Sequence, residues 1–191
     1  MKLSFTTISY EDGTVTMLDQ TLLPQKEVYQ EYEKVSGVAD AIETMVIRGA
    51  PAIGIAAGYG MVLAAIEHRA SQNFAGEMAQ AREMLARTRP TAVNLFWALD
   101  RMMKIVDGLS AADSEARVAA MEAEANLILR EDEDVCYRIG ENGASLLPQS
   151  ATVMTHCNAG ALATGGLGTA LAVIRVGIEQ GKDIKVISNE T

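Results

Sequence analysis

A β-branched and apolar run from Ala151 to Met154 leads into Thr155-His156-Cys157-Asn158-Ala159-Gly160 and a turn rich in glycine at Gly165, Gly166 and Gly168. An apolar helical pattern follows from Ala170 to Ile178, and a second strand pattern runs from Ile184 to Ile187. A strand over 151–157, a helix over 166–180 and that second strand make a βαβ unit, and such a unit requires parallel strands. In open α/β sheets, ligands bind in the crevice outside the carboxyl ends of the strands. Cys157 stands at that position. The glycines are read as letting backbone approach a ligand, and a helix N-terminus there favours an anion. The thiol is therefore placed for chemistry, the alternative being a small buried hydrophobe. Two strands and one helix cannot cover a parallel sheet on both faces. The expectation is that the rest of the sheet comes from a second chain, a downstream region or a partner.

The preceding residues read as a small antiparallel unit followed by helices. Leu3, Phe5 and Ile8 belong to a first strand, Asp12-Gly13 is a hairpin turn, Val15 and Met17 belong to a second strand, and Leu22-Leu23-Pro24 ends the unit. Helical spacing predicts helices over residues 27–47, from Pro51 to Arg69, over Gly76–Arg87 and over Ala92–Val106, and one long or broken helix over Ser110–Leu147. Pro51 suits a first helical turn. Gly54 and Gly58 leave a bare stripe for a neighbouring helix. Val93, Phe96, Trp97, Leu99 and Met103 are expected to point inward, as are Val118, Met121, Ile128, Val135 and Ile139. The run Glu131-Asp132-Glu133-Asp134 reads as a solvated face or a new helix start. Pro148-Gln149-Ser150 reads as a linker, which divides the chain into residues 1–148 and 149–191.

A formal net charge of −9 argues against broad binding to nucleic acid or an anionic membrane. An anionic substrate then needs a local positive pocket, which draws attention to two arginines. Arg48-Gly49-Ala50-Pro51 joins a guanidinium to a helix start, either an anion site or an ordinary helix–turn–helix with a glycine cap. Arg89-Pro90-Thr91 repeats the arrangement more weakly, since a lone arginine there is usually a surface residue. The two cysteines and an N-terminus without an apolar signal core point to a reducing cytoplasm. The apolar run Ala50–Ile66, about 17 residues, sits at the low limit for a membrane span and reads as a buried helix. Cys136 reads as core. Two cysteines and two histidines, close-spaced only at His156-Cys157, make a zinc site unsupported. Alternation sends His156 and Cys157 to opposite faces, so they form no nucleophile pair. The glycine pattern matches neither Gly-x-Gly-x-x-Gly nor a Walker loop, and a dinucleotide reading keeps one support, Glu190, as a ribose-binding acid.

Three stretches carry a more specific signal: Met45-Val46-Ile47-Arg48-Gly49-Ala50-Pro51-Ala52-Ile53-Gly54, Arg89-Pro90-Thr91-Ala92-Val93-Asn94-Leu95, and Thr155 through Thr164. Together they resemble methylthioribose-1-phosphate isomerase, and Glu131-Asp132 through Gly140-Glu141-Asn142-Gly143-Ala144 fits too. The resemblance implies an aldose–ketose isomerase of methionine salvage that needs no metal or nucleotide cofactor. It implies an α+β/α/β fold: an N-terminal helical domain with a small antiparallel sheet over 1–148, then a truncated Rossmann-like parallel βαβ unit over 149–191. It assigns substrate binding to Arg48, Gly49, Ala50 and Arg89 and catalysis to Cys157. The family's acid/base aspartate lies downstream and is absent here, so the chain carries about half of an active site, and inactivity alone is the expectation. The resemblance also implies a sugar-phosphate partner and a homodimer at full length, or a second chain supplying the C-terminal half. Related families are ribose-1,5-bisphosphate isomerases and the regulatory subunits of the exchange factor for eukaryotic initiation factor two. The cysteine motif and Arg-Gly-Ala-Pro favour the first-named enzyme. A third reading is a remnant that associates through its exposed sheet edge. No residue visibly reads the thioether.

Overall fold

A computed structural model describes residues 3–109 and 111–189. Ser110, the expected start of the long helix, and Glu190, the acid weighed for ribose, lie outside the described residues. The chain begins with a hairpin, β1 (Ile8–Glu11) and β2 (Thr14–Leu18), in the register Ile8↔Met17 to Glu11↔Thr14. Asp12 and Gly13 both take positive φ, 46° and 83°, as a two-residue turn of mirror-image type requires.

A third strand, β3 (Tyr29–Tyr32), corrects the expectation of one helix over 27–47. Tyr29-Gln30-Glu31-Tyr32 pairs antiparallel with β2 from Val15↔Tyr32 to Leu18↔Tyr29, so sheet pairing sets its conformation. Gln30 Nε2 also donates to Asp19 Oδ2 at 2.5 Å. Only Val35–Glu43 is helical there (α1).

The core is built on α2 (Ala50–His68), which is apolar on every side and fully buried from Ala52 to Ala65. Its apolar window passes a length and hydropathy test for a membrane span, yet 78% of it is buried inside the protein. Around it pack α1, α3 (Phe74–Thr88), α4 (Val93–Asp107) and the first half of α5 (Ser114–Leu146). The glycine stripe receives two helices. A Cβ on Gly54 would stand 2.9 Å from the Asn94 carbonyl oxygen of α4, whereas Gly58 faces Ala125 and Ile128 of α5 in ordinary contact.

Two helix faces differ from expectation. On α4 the buried residues are Leu95, Ala98, Leu99, Met102 and Val106, while Val93 and Trp97 are 78% and 48% exposed. On α5 the buried residues are Met121, Ala125, Ile128, Cys136, Gly140 and Ala144, while Val135 and Ile139 face outward. The cause on α5 is close packing. Its second half meets α6 (Ala170–Glu179) through small residues, and a Cβ on Gly140 would lie 3.0 Å from the Ala172 carbonyl oxygen. The helix runs unbroken through Glu131–Asp134, so no new helix starts there, and Asp113 caps its N-terminus by accepting the Ala116 amide at 2.8 Å.

The parallel unit pairs β4 (Ser150–Thr155) with β5 (Asp183–Ser188) from Ser150↔Asp183 to Thr155↔Ser188. Six helices, a small antiparallel sheet and this parallel pair are the α and β layers that the sequence led us to expect. The strand and helix bounds are tighter than expected because the intervening residues fold on themselves. Gly160 bridges Gly168, and a single 3-10 turn spans Ala161–Ala163. Leu3 packs on a second, small core of Ala144, Leu167, Ala172 and Val176.

Candidate active site

Three connections converge on the N-terminus of α2: the α1–α2 turn, the α3–α4 turn, and the segment that follows β4. They line one pocket of about 430 Å³. Arg48, Gly49 and Ala50 come from the first, Arg89 from the second, and Cys157, Asn158, Thr164 and Thr169 from the third. All five residues singled out in the sequence therefore border the same space. His156 does not line it. Its Nδ1 lies 3.0 Å from the Asn189 side-chain amide at the end of β5.

The start of α2 has chemistry that can receive an anion. Among the described residues no side chain caps α2, Pro51 follows in the first turn, and the first helical bond runs from the Ile53 amide to the Gly49 carbonyl at 2.9 Å. The amides of the first turn thus lack helical acceptors and carry the positive end of the helix dipole. Two guanidinium groups and no carboxylate line the pocket, against an acidic whole.

Gly49 is demanded twice over. Its φ of 99° and ψ of 139° suit glycine, and a Cβ would come within 2.5 Å of Ala163 Cα. Met45 and Cys157, at φ 64° and 65°, are also left-handed, and both border the pocket. Left-handed backbone at non-glycine residues costs free energy and clusters at functional sites. Cys157 lies two residues past the end of β4 and is exposed.

The far wall, residues 160–169, is held from three sides. Thr7 Oγ1 donates to the Ala161 carbonyl at 2.8 Å, Gln20 Nε2 donates to the Leu162 carbonyl at 2.7 Å, and the Gly165 amide donates to Asp132 Oδ2 at 2.7 Å. The glycines of this segment serve that packing more than ligand approach, which corrects the sequence reading. A Cβ on Gly165 would meet Leu129 and Ile55 at 2.5 and 2.9 Å, and one on Gly166 would meet Glu133 Cα at 3.1 Å. Asp132 is likewise no solvated residue. Burial pushes its carboxyl pKa up, opposed by the Gly165 amide and the Cys136 thiol. Burial, then the nearby Asp132 charge, pushes the Cys136 thiol up. Sequence reasoning missed Asp132, Thr7, Gln20, Thr164 and Thr169, for which no local pattern signals a long-range contact.

A family model described as the initiation factor 2 subunit family matches residues 46–191. Methylthioribose-1-phosphate isomerases of Geotalea daltonii and Syntrophotalea carbinolica are 49% and 50% identical over 99% of this chain, which covers 55% and 56% of theirs. The chain thus spans about half the length of these curated relatives. Among solved structures, 5-methylthioribose 1-phosphate isomerase from Pyrococcus horikoshii matches with a TM-score of 0.88 and 37% identity, over 96% of this chain and 60% of that one. The delta subunit of translation initiation factor eIF-2B from A. fulgidus also matches with a TM-score of 0.88, at 40% identity, over 98% of this chain and 55% of that one. Matched over most of its length and sharing the fold of these proteins, the chain belongs to the initiation factor 2 subunit family.

Proposed function

We propose that this chain provides the phosphate-anchoring and cysteine-bearing part of a cytoplasmic isomerase that converts 5-methylthioribose 1-phosphate to 5-methylthioribulose 1-phosphate. The observation that carries the reading is the convergence of Arg48, Gly49, Ala50, Arg89 and Cys157 on one pocket. The names of the relatives supply the substrate.

The chemistry fits the geometry. A phosphate ester on C1 removes the free anomeric hydroxyl, so ring opening must break the bond between C1 and the ring oxygen. That oxygen takes a proton. Across the whole reaction C2 loses its hydrogen, C1 gains one, and the C2 hydroxyl becomes a carbonyl by releasing its proton. An acid is needed at the ring oxygen and a second group beside C1 and C2. Arg48, Arg89 and the first-turn amides of α2 hold the phosphate and so fix C1, the carbon that bears it. Cys157, on the same pocket wall as Asn158, is the group beside C1 and C2, moving the proton or stabilising the transition state. Among the described residues no carboxylate lines this pocket, so none of its residues is assigned as the acid at the ring oxygen.

Titration of the purified chain with 5-methylthioribose 1-phosphate tests the reading. Saturable binding that survives Cys157→Ser is expected, because the phosphate contacts bring the sugar in and the thiol acts on it afterwards. Absence of binding in the unaltered chain overturns the proposal. The likeness to the eIF-2B delta subunit supports a second reading, a regulatory subunit that binds other chains. That reading predicts no sugar-phosphate binding, so one titration separates the two.

A further inference from the structure

Beside the anion pocket lies an open groove of about 390 Å³ that the reading above leaves unused. Pro51 and Ile55 of α2 form its floor, Val93 and Trp97 of α4 one wall, and Ile128 and Val135 of α5 the other. The groove adjoins the pocket along three separate elements. Pro51 lines both spaces. Arg89, in the α3–α4 turn, lines the pocket, and Val93, the first residue of α4, lines the groove. Thr164 lines the pocket, while its neighbour Gly165 donates its amide to Asp132, which lines the groove.

The groove is preformed and apolar. The Arg101 guanidinium lies 5.4 Å from the centre of the Trp97 ring and is itself held by Glu124 and Glu131. Both Glu131 oxygens are taken by Arg101, and Asp132 Oδ2 accepts the Gly165 amide, which leaves Asp132 Oδ1 as the one carboxylate acceptor at the groove edge without a hydrogen-bond partner among the described residues. Asn94 supplies the remaining polar lining. Outward-facing Val93 and Trp97 are otherwise unexplained by packing.

The substrate named for the relatives carries an anion on C1 and a thioether on C5, at opposite ends of a furanose ring. With the phosphate at Arg48 and the α2 amides, the ring spans the Pro51 boundary and the thioether enters the groove. We propose that this groove is the thioether subsite, with Trp97 and Val93 as specificity-determining residues. The proposal rests on the sugar-phosphate reading of the neighbouring pocket. A sulfur–aromatic contact with the indole and desolvation of the methyl group supply the preference.

The test titrates the full chain with 5-methylthioribose 1-phosphate and with ribose 1-phosphate. The unaltered chain is expected to prefer the methylthio sugar by about tenfold or more, the range an apolar pocket gives for one small substituent. Trp97→Ala is expected to narrow that preference to about twofold, and Trp97→Phe to keep most of it. Val93→Ser, at a position 78% exposed, is expected to narrow it as well. A ratio untouched by Trp97→Ala and Val93→Ser, in a chain that binds both sugars, overturns the subsite and leaves the pocket reading standing. Failure of the unaltered chain to bind either sugar overturns both.

Discussion

Arg48 is exposed, lines the pocket and has no ion-pair partner among the described residues, so its charge is available to a ligand. Arg48→Ala is expected to weaken sugar-phosphate binding by about tenfold at low ionic strength, the scale of one charge-assisted hydrogen bond. The loss should shrink as salt rises, because screening already weakens the wild-type contact. Calorimetric titrations at several salt concentrations measure this, and an equal loss at every concentration would mark Arg48 as structural. Arg48, Gly49, Ala50, Arg89 and Cys157 were legible in the sequence because each sits in a short motif with its own local chemistry. Thr164 and Thr169 were not, since nothing beside them in the chain indicates that residues 160–169 fold back against Gly49. Trp97 was misread because an aromatic residue at helical spacing usually faces a core. Here α4 turns smaller residues inward and leaves the indole beside Arg101.

α5 is the element that links the helical core to the site, and two of its residues give measurable consequences. Asp132 is raised in pKa by burial, so between its unfolded and folded pKa values the native state holds more protons than the unfolded state. Stability contributed at this position therefore falls as pH rises through the carboxylate range, and the full cost is present above the folded pKa. Glu133, raised by burial and by the Asp132 charge, moves the same way. Asp132→Asn keeps an acceptor for the Gly165 amide and removes the desolvated charge. It is expected to melt higher than wild type at pH 7, with the gap closing below the usual aspartate pKa of about 3.9. A gap of the same size at both pH values would contradict this. Gly140 argues the opposite case. Alanine is favoured over glycine inside a helix by about 1 kcal/mol, yet a Cβ would stand 2.8 Å from Val176 and 3.0 Å from the Ala172 carbonyl. Overpacking costs about 1–3 kcal/mol, so Gly140→Ala is expected to destabilise the chain in denaturant unfolding.

At the scale of the molecule, the described residues form two cores of unequal size. The large one surrounds α2, while the small one under α6 consists of Ala144, Leu167, Ala172 and Val176. The side of the parallel pair away from α6 carries exposed Met154 and Ile187. Local opening free energy follows buried apolar contact, so amide exchange is expected to be slowest in Ala52–Ala65 and faster across β4 and β5. Hydrogen exchange read by mass spectrometry checks the order, and equal protection in the two regions would show a single cooperative unit.

The sequence by itself determined the hairpin at Asp12-Gly13, α2 through α6, the parallel pair, and the residue types that line the pocket at the start of α2. These rest on local rules: turn conformations, helical period, and the chemistry of adjacent groups. It did not determine β3, whose four residues become a strand only by pairing with β2. Only the tertiary structure decided that three connections far apart in the chain share one pocket. It also decided that Asp132 faces a glycine amide instead of water, and that Val93 and Trp97 face outward. Those outcomes depend on how closely helices approach, and small residues at Gly54 and Gly140 set that approach. Hydrophobic periodicity counts large side chains, so it is blind to a face that packs because it is bare.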